Sequence, residues 1–261
     1  MTDNEAWIAD MLVNHGNDAL SKPRKPYSFL KDDLANELIN DIEQYPHAFV
    51  LACAMERGGK SERAWLIPYI FKEKLDGDFS ITKLGSVSPA EVKQIMAGPP
   101  AIHRFPELMS KVFYAAVHRI SSVYDGDASR LWRGEPFGAM VVYKFLEFEG
   151  IGPKIANMAA NTLVREYKIR FADYQFLDIS ADVHVRRVFG RLGLSVKDPT
   201  VDQVIFRARV LHPEYPGLLD LPCWEIGREW CKAREPRCEF CYMNERCPTA
   251  TELRRAYKIE A

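Results

Sequence analysis

The sequence predicts an all-α fold, because apolar side chains recur with the period of a helix and little of the chain alternates as a strand does. Apolar residues stand at every fourth position in 30–42 and again in 108–120. The tetrapeptide Ser88-Pro-Ala-Glu91 has the form of a capping box with proline at the first helical position. At 261 residues, the chain is long enough for two domains.

The first half of the chain consists of helical segments separated by proline and glycine. An apolar face in 4–16 predicts the first helix, and the connector Lys22-Pro-Arg-Lys-Pro26 follows it. The pair Gly58-Gly59 interrupts a largely apolar stretch, and Pro68 is expected to kink the helix after it. Helices are therefore predicted at 4–16, 29–44, 49–57, 60–75, from Ser88, from Pro106 and at 137–148.

The second half continues as helices around one irregular stretch. Residues 168–180 carry aromatic side chains without a helical period. Asp182 directly precedes an amphipathic segment, where a carboxylate is a favoured helix cap. Helices are predicted here at 154–167, 184–192, 201–211 and 218–230.

The composition is that of a globular protein. The chain is 47% hydrophobic, and no apolar run is long enough to span a bilayer, so no membrane association is expected. The N-terminus Met1-Thr-Asp-Asn-Glu5 lacks the basic start and apolar core of a signal peptide. We therefore expect a cytoplasmic protein, associated with the nucleoid if it is bacterial. The net charge is −1, so a nucleic acid partner would require basic side chains segregated on one face.

The segment Gly150-Ile-Gly-Pro-Lys154 is a candidate hairpin between two helices. Gly150 and Gly152 permit a sharp turn and the close approach of another molecule. Pro153 suits the first position of the following helix, whose free N–H groups and dipole favour a phosphate. The motif alone is a weak signal, because glycines precede helices in many folds and a lone lysine is usually a solvated surface group.

Four of the six cysteines lie in one short C-terminal stretch, Cys231-x6-Cys238-x2-Cys241-x5-Cys247. In a reducing cytoplasm such a cluster indicates a metal site rather than disulfides. Structural zinc usually takes two close cysteine pairs, whereas here one close pair lies between two outer cysteines. Four thiolates in one compact loop also suit an iron–sulfur cluster. The spacing leaves zinc and iron–sulfur equally open, and the other two cysteines are expected to be buried small apolar groups.

The hairpin, the segment Asp182-Val-His-x-x-Arg-Val and the cysteine loop, in this order, resemble the endonuclease III branch of the helix-hairpin-helix DNA glycosylases. In the second half of the chain the resemblance extends to individual residues. In the first half it consists only of a similar pattern of helices. It implies a 4Fe-4S cluster on the four cysteines. It also implies a helical barrel domain at 30–148, a discontinuous helix-hairpin-helix and iron–sulfur domain at 1–29 and 149–261, and a DNA-binding cleft between them.

The resemblance further implies base-excision repair of double-stranded DNA by a monomer. Lys154 matches the family's catalytic lysine, whose neutral amine attacks C1′ of a flipped nucleotide, expels the damaged base and leaves a Schiff base. Loss of the 3′ phosphate would then make the enzyme an abasic-site lyase. The helix N-terminus and partial burial are both expected to lower the pKa of Lys154 and keep some of its amine neutral.

Asp182 matches the family's catalytic aspartate and would stabilise the cationic sugar as the base departs and help move protons from the amine. Three alternatives remain open. They are a monofunctional glycosylase, a non-catalytic iron–sulfur protein that binds DNA lesions, and an electron-transfer protein.

The family's usual DNA contacts are only partly matched. Where the family tends to carry a glutamine-containing segment that fills the gap left by the flipped base, this chain has Met55-Glu-Arg-Gly-Gly59, so Met55 or Ile102 is expected to enter the stack. Glu149 replaces the proline common before the hairpin, which puts the substrate in doubt, although an oxidised pyrimidine is the family's default. The expected DNA contacts are Gly150, Gly152, Lys232, Arg234, Arg237, Met55 and Ile102.

Overall fold

The computed structural model describes residues 1–259, which form thirteen α-helices, three short 3₁₀ helices and no β-strand. The predicted all-α fold is confirmed. In chain order the α-helices are α1 (Asp3–Ser21), α2 (Asp33–Asn40), α3 (Pro46–Ala54), α4 (Ser61–Lys74), α5 (Ile81–Ser86), α6 (Pro89–Ala97), α7 (Pro106–Val123), α8 (Gly138–Leu146), α9 (Pro153–Arg165), α10 (Val183–Arg191), α11 (Val201–Leu211), α12 (Asp220–Glu229) and α13 (Pro248–Ile259). Within the described residues, none of these helices combines the length and apolar content needed to cross a membrane.

Backbone contacts divide the chain into two units. The central domain runs from Arg24 to Ala172, and the terminal domain combines Met1–Pro23 with the chain from Asp173 onward. Residues 149–172 therefore lie in the central domain, whereas the sequence placed them with the C-terminal part. The reason is local packing, since α9 contacts both α8 and α3. The hydroxyl of Tyr167, just after α9, also donates a hydrogen bond to the carbonyl of Ile39 at 2.9 Å.

The core of the central domain is built around α3, all of whose nine residues are buried. The ring of Phe49 meets four other aromatic rings at steep angles, with centroids 5.2 to 6.2 Å apart; these rings belong to Trp65, Trp132, Phe145 and Tyr167. Edge-to-face contacts of this kind stabilise a core beyond the area they bury. These contacts fix the position of α3. They therefore also fix where residues 55–57, which come after α3 in the chain, begin.

The helix predicted at 29–44 is shorter than expected, because two asparagines bind the connector that precedes α2. Asn36 bonds both backbone groups of Leu30, at 2.9 and 2.8 Å, and Asn40 does the same for Tyr27, at 2.7 and 2.9 Å. These bonds hold 27–30 outside the helix. The carboxylate of Asp32 then caps the first turn.

The core of the terminal domain combines α1 with the helices of the C-terminal part. Ile8 and Leu12 on α1 are fully buried in the same cluster as Val188 and Phe189 on α10. Helix α10 packs closely against α12, where a Cβ added to Gly227 would stand only 2.7 Å from the Cβ of His184. Helix α13 was not predicted, nor was the six-residue α5 in the central domain.

Candidate active site and cysteine cavity

The hairpin between α8 and α9 requires only one of its two glycines for its backbone. Gly150 has φ of +83°, and a Cβ there would lie 3.1 Å from Cγ1 of Val112. Gly152 has φ of −98° and faces open space, so any residue would fit its conformation. Gly152 precedes α9 without a side-chain cap, which leaves the first amides of α9 unobstructed.

These two glycines form a matched pair for mutation. We expect Gly150→Ala to lower the free energy of unfolding by about 1–2 kcal/mol, because a Cβ at positive φ is strained. We expect Gly152→Ala to lower the unfolding free energy by less than about 1 kcal/mol, because alanine is a poorer N-cap than glycine, but to weaken binding to duplex DNA, because its Cβ would stand where a phosphate approaches the amides. Urea unfolding and a DNA-binding titration measure the two effects. Equal DNA affinity for Gly152→Ala and the wild type would contradict a phosphate contact at this turn.

Lys154 lies on the first turn of α9 and its side chain is exposed. The expected partial burial of this lysine is therefore wrong. Ile155 and Ala156, the next two residues, take the buried side of the helix instead, and Pro153 and Lys154 are left facing solvent. Such an amine is accessible to a reactant.

Glu56 is a half-buried acid that the sequence did not single out. It follows α3 directly, and its carboxylate accepts hydrogen bonds from Trp65 Nε1 at 2.8 Å and Ser61 Oγ at 3.1 Å. Burial raises the pKa of Glu56, and the positive charge of Lys154 is among the groups that lower it. The available sequence signal was an acidic residue at the end of a wholly apolar helix. It could not show which side chains surround that position.

Asp182 is the N-cap of α10, as expected. Its Oδ1 accepts the backbone N–H groups of His184 and Val185, both at 2.8 Å. A carboxylate has further acceptor capacity on its second oxygen, so the cap leaves Oδ2 able to act elsewhere. Asp182 belongs to the terminal domain, whereas Lys154 and Glu56 belong to the central domain.

The four C-terminal cysteines line one cavity of the terminal domain, together with apolar side chains such as Leu192, Ile226 and Trp230. None of the six cysteines forms a disulfide, and all six lie in the described part of the chain. Within residues 1–259, no three His, Cys, Asp or Glu side chains converge as ligands of one metal ion. The cysteines of the cavity are Cys231, Cys238, Cys241 and Cys247.

The chemistry of this cavity fits a group bound by thiolates. Burial raises the pKa of the Cys238 and Cys247 thiols and that of Cys241 to about 11. A bound metal group would replace these protons, because cysteine binds metals as the thiolate. The guanidinium of Arg191 lies 3.5 Å from Sγ of Cys231, where it would stabilise negative charge. Cys53 and Cys223 lie outside the cavity and are fully buried, as expected of small apolar groups.

The basic loop between the first two cysteines is anchored to α10. Arg191 donates to the carbonyls of Lys232 and Ala233 at 2.6 and 2.8 Å. The side chains of Lys232 and Arg237 bond the carbonyls at the end of α12. Arg234 is also exposed, and its guanidinium donates no hydrogen bond to the described residues. Of the three basic residues predicted to contact DNA, Arg234 is therefore the most available.

The two wedge candidates differ in exposure. Met55 is completely buried, which excludes it as a DNA contact in this structure, because the end of α3 points into the core. Ile102 is half-buried in the loop between α6 and α7, where its carbonyl accepts a hydrogen bond from Arg63 at 3.0 Å. Only Ile102 remains a candidate for insertion.

No protein-family model matches the sequence. The chain is 28% identical to Endonuclease III of Thermotoga maritima over 117 residues, or 43% of this chain, and 29% identical to Endonuclease III of Rickettsia conorii over 104 residues, or 39%. Its structure matches a non-covalent Endonuclease III–DNA complex with a TM-score of 0.63 at 16% identity, covering 98% of this chain and 100% of the other. The chain is endonuclease III-like in sequence and fold.

Two further solved structures share this fold. A trapped Endonuclease III–DNA covalent intermediate matches with a TM-score of 0.62 at 16% identity, covering 97% of this chain and 100% of the other. A thermostable thymine-DNA glycosylase matches with a TM-score of 0.59 at 11% identity, covering 95% and 97%. The sequence matches span about half the length of the curated relatives, 50% and 44%. The endonuclease III-like fold thus extends over nearly the whole chain, while the sequence likeness covers less of it.

Proposed function

We propose that the protein is a DNA glycosylase of base-excision repair that also cleaves abasic sites. The observation that carries this proposal is the exposed Lys154, which follows the open turn at Gly152 on the first turn of α9. The endonuclease III-like fold supports it. One of the solved structures with this fold is described as a trapped covalent intermediate between Endonuclease III and DNA.

The proposed reaction begins with a nucleotide that leaves the base stack, since C1′ cannot be reached inside the duplex. The amine of Lys154 attacks C1′ and the electrons of the glycosidic bond leave with the damaged base. The nitrogen then loses a proton and the C1′–O4′ bond of the sugar breaks, and the Schiff base formed in this way favours loss of the 3′ phosphate by β-elimination. The amides at Gly150, Gly152 and the start of α9 would hold a phosphate of the same strand while this occurs.

Asp182 would stabilise positive charge on the sugar as the base departs. Asp182→Asn separates this role from the cap, because asparagine accepts the same amide bonds. We expect single-turnover release of an oxidised pyrimidine to slow by about a hundredfold, with DNA affinity and thermal stability unchanged. Asp182→Ala is the contrasting variant, since it removes the cap as well and should also lower stability by about 1 kcal/mol. An unchanged release rate in Asp182→Asn would reduce Asp182 to a helix cap.

The four cysteines of the cavity would hold a 4Fe-4S cluster, which would supply a structural cross-link for a loop that has little apolar core of its own. The residues that do the binding are Cys231, Cys238, Cys241 and Cys247. In this arrangement Arg191 keeps the intervening basic loop in one conformation through the carbonyls of Lys232 and Ala233. Arg234 is then available to the DNA backbone.

The proposed partner is double-stranded DNA that contains a damaged base or an abasic site, bound by a monomer in the cytoplasm or nucleoid. The net charge of −1 means that contacts must be local rather than spread over the surface. Glu149 is exposed beside the hairpin and would repel a nearby phosphate. This negative charge would weaken the contact between the hairpin and DNA. The basic loop and Ile102 would then contribute more of the binding free energy.

The proposed function is tested with a duplex that contains one abasic site, because the identity of the damaged base then no longer matters. A glycosylase with lyase activity binds this duplex and cuts the strand 3′ to the site. Binding without cutting would indicate a monofunctional glycosylase or a protein that only locates lesions. Failure to bind, in a protein that contains iron, would favour an electron-transfer protein.

A further inference from the structure

A cavity of about 510 Å³ lies in the central domain beside the end of α3. Basic side chains dominate its wall, and Glu56 is the single acidic residue among the described residues that line it. A lone carboxylate among several cations is usually paired with one of them. Here it is bound instead by two neutral donors, Trp65 Nε1 and Ser61 Oγ.

These two hydrogen bonds place the Glu56 carboxylate without using all of its acceptor capacity. Trp65 binds Oε1 and Ser61 binds Oε2, so each oxygen keeps a second lone pair. Both donors lie on α4, which is packed against α3. The carboxylate is therefore rigidly held and remains able to accept a proton.

Helix α9, which carries Lys154 on its first turn, is one of several helices that pack against α3. Lys154 lies close enough for its charge to lower the pKa of Glu56, against the larger effect of burial, which raises it. The side chain of Lys154 is exposed, so it is accessible to a proton acceptor.

We infer that Glu56 is the group that takes the proton from the Lys154 ammonium before the amine attacks C1′. The inference rests on the proposed function and extends it to the residue that activates the nucleophile. In this step an N–H bond of the ammonium breaks and an O–H bond of the carboxylic acid forms. The nitrogen lone pair then forms the bond to C1′ while the glycosidic bond breaks and its electrons leave with the base.

The half-buried position of Glu56 favours this transfer, because two charged groups become two neutral ones. Burial penalises the carboxylate and not the carboxylic acid. DNA that covers the site would exclude water and strengthen the same preference. In the inferred step, Glu56 does what the expected burial of Lys154 was to do, which is to make the amine neutral.

Other charged or titratable groups lie around Glu56, and the pH dependence of any variant includes their effect. Burial lowers the pKa of His103, so it does not compete as a cation near neutral pH. Glu62 on α4 raises the pKa of Glu56 by repulsion. The full set is Cys53, Arg57, Lys60, Glu62, Arg63, His103, Arg104 and Lys154.

The test is the rate at which borohydride traps the protein on an abasic duplex, measured from about pH 6 to about pH 10. We expect Glu56→Gln to slow trapping by about a hundredfold near pH 7, because no carboxylate takes the proton. The defect should shrink as the pH approaches about 10, where a lysine loses its proton to water. Glu56→Asp should recover part of the rate at neutral pH, since it restores a carboxylate.

Glu73→Gln is the matched control, because it removes an exposed carboxylate on α4 that is not among the charges shifting the pKa of Glu56, and it should trap DNA at the wild-type rate. Glutamine at position 56 keeps an acceptor for Trp65 and a partner for Ser61, and thermal melting checks its fold. If Glu56→Gln does not fold, Glu56→Asp is tested instead. Its trapping rate should be reduced less and should also recover at alkaline pH.

Two results would overturn the inference. One is trapping by Glu56→Gln at the wild-type rate throughout the pH range. The other is a defect of equal size at every pH, which would indicate a structural role. In both cases the wild type is still trapped and the proposed function stands. A wild-type protein that binds the duplex but is never trapped contradicts the proposed lyase reaction itself, and the inference with it.

Discussion

Lys154→Gln is expected to abolish the covalent adduct that borohydride traps between the wild-type protein and abasic DNA. The Schiff base needs an amine, and glutamine has none that can attack C1′. Binding to the same duplex should persist with a slightly smaller salt dependence, because one positive charge near the phosphates is lost. Lys154 is exposed, so its replacement should change the unfolding free energy by no more than about 0.5 kcal/mol. Electrophoresis of the trapped complex and a binding titration measure the two effects.

Lys111→Gln is the control for this experiment. Lys111 is an exposed lysine on α7 of the same domain, and its replacement should leave trapping at the wild-type level. A persistent adduct in Lys154→Gln would mean that another amine reacts. If the wild type binds abasic DNA but forms no adduct, the protein is a monofunctional glycosylase or a binder without activity, and Lys154 becomes a phosphate contact.

Cys238→Ser is expected to have the second large effect, which is loss of bound iron and of a stable terminal domain. Residues of α10, α12 and the start of α13 line the cavity together with Cys238. A group bound in the cavity would therefore link these three helices. Structural metal groups contribute about 10–16 kcal/mol in small zinc domains, as much as the whole stability of a typical protein. We expect the melting temperature to fall by more than about 10 °C, or the protein to become insoluble. Elemental analysis measures the loss of iron, and thermal melting measures the loss of stability.

Cys223→Ala is the matched control, because Cys223 is fully buried in the same domain but outside the cavity. It should lose some stability through packing and keep the iron content of the wild type. One zinc and no iron in the purified wild type would contradict the proposed cluster. In that case the alternative left open by the cysteine spacing would be correct.

Much of the fold follows from local patterns. The helix expected from Pro106 begins there, the capping box at Ser88 is present, and the helix expected at 201–211 has those bounds. These signals depend on neighbours in the chain, such as a cap or an apolar side chain one turn away. The helix expected from 29 is wrong because side chains on α2 bind the connector. Helix α5 has only six residues and therefore has no detectable period.

Part of the candidate site also follows from local sequence patterns, and part depends on tertiary packing. The spacing of four cysteines identified a common cavity, and the glycines identified the hairpin. The exposure of Lys154 and the complete burial of Met55 were not predicted, because each depends on which side of a helix its packing partners cover. The role proposed for Glu56 depends on Trp65, Ser61 and Lys154, and all three lie on other helices, α4 and α9.

The order of helices, the cysteine loop and the hairpin with its lysine could be identified from residues that are close together in the chain. Packing between distant residues decided the rest. Residues 149–172 lie in the central domain because α9 packs on α3 and α8. The basic loop has its conformation because Arg191 binds carbonyls some forty residues away. Such contacts depend on the total packing of several helices, and no short stretch of sequence contains that information.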